Sequence, residues 1–204
     1  APGPKPGSQN CGQAGDCDVV FSYPMFKDLS QQQNVFTGIA GHVAFGANLS
    51  VRNEPTTGSG MFVSGSYFSV LGIKPELGRL LGPADDEVIG ANPVAVLSYE
   101  FWQERFGAAR DVVGQSLIAN GRTLNIIGVA PRGFRGTTLG SRPMLFVPLT
   151  MRELIEKRRP AYENRRSYWL YLFARLKPGV SIEQASTSLN TMYSRILTGV
   201  EAPL

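Results

Sequence analysis

The sequence predicts an α+β fold, and three observations carry that reading. Asn120-Gly121 separates two apolar-rich runs, 114–119 and 122–129, and is the pair best able to take both positive-φ positions of a type I′ turn. Val94-Ala95-Val96-Leu97 reads as a buried strand, and Ser98 behind it caps a helix. The aromatic run 168–176 reads as a strand, which the turn Lys177-Pro178-Gly179 ends. Ser181-Ile182-Glu183-Gln184 then forms a capping box for an amphipathic helix over 182–197. No internal repeat is visible.

The elements follow in order. Residues 1–17 hold Pro and Gly with almost no apolar side chains and read as a flexible tether. Ser22-Tyr23-Pro24 opens a helix over 23–34, with Phe26 and Leu29 on its apolar face. Residues 42–45 and 47–52 favour strand, Gly46 between them suggests a bulge, and 57–63 pairs with them. Ser66 to Leu71 forms a short helix with Tyr67, Phe68 and Leu71 among its apolar residues, and Gly72 suits the left-handed position after it. Residues 75–86, with Gly78, Arg79, Gly82 and two adjacent acids, read as an exposed crossing between structural units.

Beyond that crossing come the strand at Val94 and a helix carrying Phe101, Trp102 and Phe106, with Gly107 as terminator. The hairpin, a strand over 144–147 and a short helix from the Thr150 cap to about Lys157 complete this part. A basic loop with Arg158, Arg159, Arg165 and Arg166 leads into the aromatic strand, and nearby Glu153, Glu156 and Glu163 make it read as a solvated loop. In the last helix Ile182, Ala185, Leu189, Met192 and Ile196 recur at steps of three and four, so that face packs on a sheet.

Composition narrows function mostly by exclusion. Hydrophobic residues at 43% and charged residues at 18% describe a chain that folds. A net charge of +4 over 204 residues is too thin for a nucleic-acid footprint. Apolar runs such as Met144 to Val147 fall far short of the roughly 20 residues of a spanning helix. The start at Ala1 and the lack of an apolar leader core point to an excised or processed segment. No Walker motif, nucleophile elbow or His-Glu-x-x-His motif occurs, so no catalytic residue and no cofactor is assigned.

Individual candidates are equally bare. One histidine, His42, and two cysteines cannot make a zinc site, and His42 receives no role. Asp85-Asp86-Glu87 reads as a solvated acidic loop. Cys11 and Cys17 bracket a loop short and glycine-rich enough to bridge, with two free thiols as the alternative.

Val63-Ser64-Gly65-Ser66-Tyr67-Phe68-Ser69-Val70-Leu71-Gly72, followed by Gly78-Arg79-Leu80-Leu81, resembles the extracytoplasmic core domain of MacB-type and FtsX-like ABC transporter permeases. Pro93 to Ser98, Phe101-Trp102, Phe106-Gly107, Val113-Gly114 and Ile127 to Pro131 are similar to the same family's second signature, in the same order. Ser22-Tyr23-Pro24 and Leu176 to Ser181 also resemble the large acidobacterial permeases, so the likeness covers about 20–198.

This resemblance implies a segment between two membrane spans, on the periplasmic side of the inner membrane. It implies a porter-like α/β subdomain from both chain ends, 18–82 with 160–204, and a smaller, mostly β inserted subdomain, 83–159. It also implies a non-catalytic domain that passes ATP-driven helix motion to periplasmic partners. The partners implied are an ATPase domain or subunit reached through the spans, a periplasmic adaptor, and a second copy in a dimeric transporter; no nucleic acid is implied. An oxidising compartment favours a Cys11–Cys17 disulfide. In the porter-like unit the Tyr67–Phe68–Leu71 helix and the helix with Leu189, Met192 and Ile196 are expected to share one sheet. The competing function is a periplasmic module that captures an apolar or lipid-like ligand, supported by the aromatic run Tyr168 to Phe173.

Overall fold

The computed structural model describes residues 9–11, 17–138, 140–157 and 162–201. The strands are β1 (Gln9–Cys11), β2 (Cys17–Val19), β3 (Phe36–Val51), β4 (Glu54–Val63), β5 (Leu77–Gly78), β6 (Val94–Leu97), β7 (Ser116–Ala119), β8 (Arg122–Val129), β9 (Pro143–Pro148) and β10 (Tyr171–Leu176). The helices are α1 (Tyr23–Gln32), α2 (Tyr67–Leu71), α3 (Tyr99–Phe106), α4 (Arg152–Glu156) and α5 (Ile182–Ile196). The fold is α+β, and the chain divides into two units: Ala1–Gly41 with Pro160–Leu204, and His42–Arg159. The first division therefore falls at Gly41/His42, not at Gly82. Most of β3, all of β4 and β5, and α2 join the inserted unit because their strands pair with β7, β8 and β9. That unit is mostly β, as expected, but it is the larger of the two.

The inserted unit is built around a sheet that closes on itself. From His42 onward β3 pairs antiparallel with β4, β4 parallel with β9, β9 antiparallel with β6, and β6 parallel with β8. β8 pairs antiparallel with β7, and β7 returns to β3 through Leu49↔Ala119 and Ser50↔Ile118. Six strands thus form a small closed barrel, which leaves few open edges among them. The β3–β4 ladder runs unbroken through Gly46↔Ser59, so the bulge expected at Gly46 is absent. Glycine inside a strand is compatible with an unbroken ladder wherever its neighbours carry the packing.

Burial follows from the closure. Met61, Phe62 and Val63 on β4, Ala95, Val96 and Leu97 on β6, and Leu145, Phe146 and Val147 on β9 are buried in succession. Alternate side chains of one strand point to opposite faces, so these strands are covered on both sides. Helix α3 forms where its sequence reading placed it: the Ser98 hydroxyl accepts from Phe101 N–H and Gly107 closes the helix at φ 60°. The hairpin is as read, with Asn120 at φ 48° and Gly121 at φ 81°. Thr150 does not cap α4; it lies buried in the 3-10 turn Leu149–Met151, and the cap position belongs to Met151.

The first unit gathers β1, β2, α1, the start of β3, β10 and α5. β10 pairs with β3, and Thr37 Oγ1 donates to the Arg175 carbonyl at 3.2 Å. The strand begins at Tyr171, and Leu170 makes only an isolated bridge to Phe21. The capping box of α5 forms, with Ser181 Oγ accepting from Gln184 N–H and Gln184 Oε1 accepting from Ser181 N–H. The helix packs against α1, and its Tyr193 ring meets Phe21, two residues before α1, edge-on at 6.4 Å. Ala185 and Ile196 are buried, Leu189 and Met192 half-buried, and Ile182 is 71% exposed. The first residue of the helix thus lies outside the face predicted for it, because the chain enters α5 from a turn at the surface.

Two further expectations change. Part of the expected tether is ordered: Gln9–Cys11 pairs antiparallel with Cys17–Val19. A two-stranded ribbon is held by backbone hydrogen bonds, which the shortage of apolar side chains did not reveal. The remainder of 1–16 lies outside the described residues. The α2 helix belongs to the inserted unit and α5 to the other, so they do not share a sheet within one unit.

Candidate functional site

The signature residues on α2 form an aromatic cluster. Tyr67 and Phe68 are buried, Leu71 is half-buried, and Gly72 ends the helix at φ 70° with Ile73 N–H donating to the Phe68 carbonyl at 3.1 Å. Phe68 meets Phe146 of β9 edge-on at 5.4 Å and Phe134 at 5.9 Å. The Tyr67 hydroxyl lies 3.0 Å from Thr137 Oγ1, and burial pushes its pKa up to about 12. His42 lies against the same ring at 6.1 Å, and burial lowers its pKa to about 4, so the imidazole is neutral at pH 7. Phe134 and His42 are the members of this cluster that sequence reasoning passed over.

The second cluster contradicts the reading of 85–87 as a solvated acidic loop. Asp85 and Asp86 are both buried, in a 3-10 turn over Pro83–Asp86. Arg79 grips Asp85 with two parallel bonds, Nη1 to Oδ2 at 2.6 Å and Nη2 to Oδ1 at 2.8 Å, and Gly82 N–H donates to Oδ2 at 2.9 Å. These hydrogen bonds from Arg79 hold the Asp85 carboxyl below the usual carboxylate range. Asp86 accepts from two buried backbone donors, Gly65 N–H at 3.1 Å and Thr150 N–H at 2.9 Å. Gly78 takes φ 66° where β5 pairs with β8, and a side chain there would meet the Ile127 carbonyl. The signature Gly78-Arg79 is therefore the support for a carboxylate that pins the loop, and Asp86 ties three segments together.

The third group lies on α3. Phe101, Trp102 and Phe106 are buried, Phe101 and Phe106 meet edge-on at 6.1 Å, and Trp102 Nε1 donates to the Ala109 carbonyl at 2.9 Å. These rings fasten the helix and the turn after it to the sheet. Asn120 also does more than make its turn. Its Nδ2 donates to the Gly46 carbonyl at 3.0 Å, its Oδ1 accepts from Asn48 N–H at 2.8 Å, and its own N–H donates to the Asn48 carbonyl at 2.9 Å. One side chain thus extends the short β3–β7 pairing that closes the barrel.

The remaining candidates fall in the first unit. The backbone register sets Cys11 opposite Cys17 across the β1–β2 ribbon. Arg165 is half-buried and paired with Asp28 at 2.6 Å, so it is a strut to α1 and not a solvated charge; Arg158 and Arg159 lie outside the described residues. Of the aromatic run, Trp169 is engaged in packing: it stacks parallel to Tyr23 at 6.4 Å and meets Tyr162 edge-on at 6.3 Å, while Tyr171 to Phe173 are half-buried.

Among the described residues no group of three or more His, Cys, Asp and Glu is placed to hold a metal ion. Among them, too, no helix is long and apolar enough to cross a membrane. No curated protein matches the chain. Solved structures do. The periplasmic region of MacB from Actinobacillus actinomycetemcomitans is similar with a TM-score of 0.70 at 21% identity, over 92% of this chain and 81% of that one. The extracellular domain of the noncanonic ABC-type transporter YknZ from Gram-positive bacteria is similar with a TM-score of 0.61 at 15% identity, over 86% and 85%. A domain of a putative permease protein from Porphyromonas gingivalis gives a TM-score of 0.60 at 17% identity, over 92% and 78%. These likenesses share the fold. A family model, the MacB-like periplasmic core domain, matches residues 2–192, and the chain belongs to that family.

Proposed function

We propose that this periplasmic core domain works without chemistry of its own, passing the motion of membrane helices driven by ATP hydrolysis to periplasmic partners or substrate during export. The observation that carries the reading is that both chain ends belong to one unit, while one continuous strand, β3, leads from that unit into the inserted one. Displacement of either end acts on α1, β10 and α5 together, since α1 packs on α5, Tyr193 of α5 meets Phe21 just before α1, and Arg165 ties the incoming loop to Asp28 of α1. In this proposal the domain projects from the inner membrane of a dimeric permease. It works with an ATPase domain or subunit and a periplasmic adaptor.

The test is made on the whole permease with its ATPase. Tyr193→Ala removes a half-buried ring from the contact between α5 and Phe21 at the entry to α1, which should loosen that contact by about 1 kcal/mol while the fold persists. Export per ATP hydrolysed should fall while ATP turnover continues. Unchanged coupling in a variant shown to be loosened would overturn the transmission role. The competing reading of a lipid-capturing aromatic run has less support, because Trp169, the largest ring of the run, is engaged with Tyr23 and Tyr162 within its own unit.

A further inference from the structure

The inserted unit contains a cavity of about 200 Å³ between the first turns of α3 and the loop that follows β8. Helix α3 contributes Glu100, Phe101 and Glu104; the loop contributes Phe134, Arg135 and Arg142. Among the described residues none of these four charged groups has an ion-pair partner within 4.0 Å, whereas Arg79, Arg105, Arg152 and Arg165 each have one. Glu100 and Glu104 stand four apart on one helix, an arrangement that repels unless a cation answers it. Two guanidiniums complete a site whose formal charges cancel. A simple anion or cation would therefore meet as much repulsion as attraction, while a ligand bearing both signs meets complementary groups at both ends.

The backbone of both walls is held before any ligand arrives, although the Glu104, Arg135 and Arg142 side chains are exposed. The Ser98 hydroxyl caps α3, and its N–H donates to the Met144 carbonyl at 2.9 Å. The loop is tied by Tyr67 to Thr137 at 3.0 Å, by Ser59 Oγ donating to the Arg142 carbonyl at 3.0 Å, and by Arg132 lying over the Tyr99 ring at 6.0 Å. A preorganised backbone lowers the entropy cost of binding, which then falls mainly on ordering these side chains. Between the charges lies an apolar floor, since Phe101 is buried and Phe134 packs on Phe146 at 5.5 Å. The volume is below the roughly 300 Å³ at which pockets for drug-sized ligands begin, so the occupant is small.

We propose that this cavity binds a short zwitterionic peptide, of about dipeptide size, with its ammonium group at Glu100 and Glu104, its carboxylate at Arg135 and Arg142, and an apolar side chain on Phe101 and Phe134. A guanidinium fork matches a carboxylate, and two carboxylates reward an ammonium that has N–H groups to donate. The site is independent of the transmission role: a domain that binds nothing here can still pass on motion, and binding is measured without transport.

Isothermal titration of the full 204-residue chain with leucyl-leucine at low salt tests it, beside N-acetyl-leucyl-leucine, leucyl-leucine amide and phosphoethanolamine. Leucyl-leucine should bind saturably at millimolar concentration or below, and masking either of its charges should weaken binding by about fivefold or more. Arg135→Gln with Arg142→Gln should abolish the distinction between the dipeptide and its amide. Glu100→Gln with Glu104→Gln should abolish the distinction between the dipeptide and its acetylated form. These side chains make no other ion pair, so the variants should keep the parent melting temperature. Absence of saturation up to about 20 mM, equal affinity for the masked forms, or tighter binding of phosphoethanolamine than of the dipeptide would each overturn the proposal.

Discussion

His42 shows how one residue's place alters its chemistry. Burial beside Tyr67 lowers its pKa from the ordinary 6.5 to about 4, so between those values the unfolded chain takes up a proton that the native protein refuses. Stability should therefore fall as pH drops from about 6.5 and stop falling on this account below about 4, by at most about 3.5 kcal/mol in total. Asp85 has the opposite charge type and the same direction: its lowered pKa gives stability that is present above the usual carboxylate range and lost as pH falls through it. Chemical denaturation of the native chain and His42→Phe between pH 7 and 4.5 separates the two. The variant should have a flatter stability profile across this window, and an unchanged slope would show that His42 is accessible to protons in the native state. Sequence alone gave His42 no role because nothing near it in the chain is chemical; its surroundings come from α2, some 25 residues further on.

At the scale of elements, what was legible is what is local. The Asn120-Gly121 hairpin, the Ser98 and Ser181 caps and the Gly72 and Gly107 terminators all depend on a few consecutive residues, and each formed as read. The acidic stretch 85–87 was misread at Asp86 because what holds it is distant. Asp86 accepts from donors 21 and 64 residues away, and no pattern around Asp85-Asp86 distinguishes a buried carboxylate from a solvated one. The same arrangement predicts an unusually costly substitution. Asp86→Ala leaves two buried N–H groups without their acceptor, which should cost roughly 2 to 6 kcal/mol at about 1 to 3 kcal/mol per orphaned donor. Glu87→Ala, at an exposed neighbour, should change stability by less than about 0.5 kcal/mol. Urea unfolding of both variants checks the pair: equal effects would mean that Asp86 is not the tie between Gly65 just before α2, this loop and the turn before α4. The candidate peptide cavity was illegible for the same reason, because its acidic and basic walls lie some 30 residues apart.

For the whole molecule, the class was readable and the closure was not. Strands could be located one by one, but β4 pairs in parallel with β9, and β3 meets β7, across stretches of chain that carry no mark of the pairing. The boundary misplaced at Gly82 follows from that: without the closing pairs, β3 and β4 look like part of the terminal unit. With them, every pairing of the six-stranded barrel lies within 42–159, and so do the aromatic neighbours of Phe68, namely Tyr67, Phe134 and Phe146. A fragment spanning 42–159 should therefore fold alone, in one cooperative transition, although it lacks both chain ends. Phe68→Ala should destabilise the fragment and the full chain by the same amount, about 3 to 5 kcal/mol, because the ring is 1% exposed and its partners are present in both. The terminal unit has no such independence: 1–41 and 160–204 supply α1 and α5 separately, and neither peptide can cover its own apolar face. Denaturant melts followed by near-ultraviolet circular dichroism decide the matter. A fragment without fixed aromatic signals or a cooperative melt would show that the barrel needs the terminal unit to close, and unequal Phe68→Ala costs would show that the aromatic cluster draws on both.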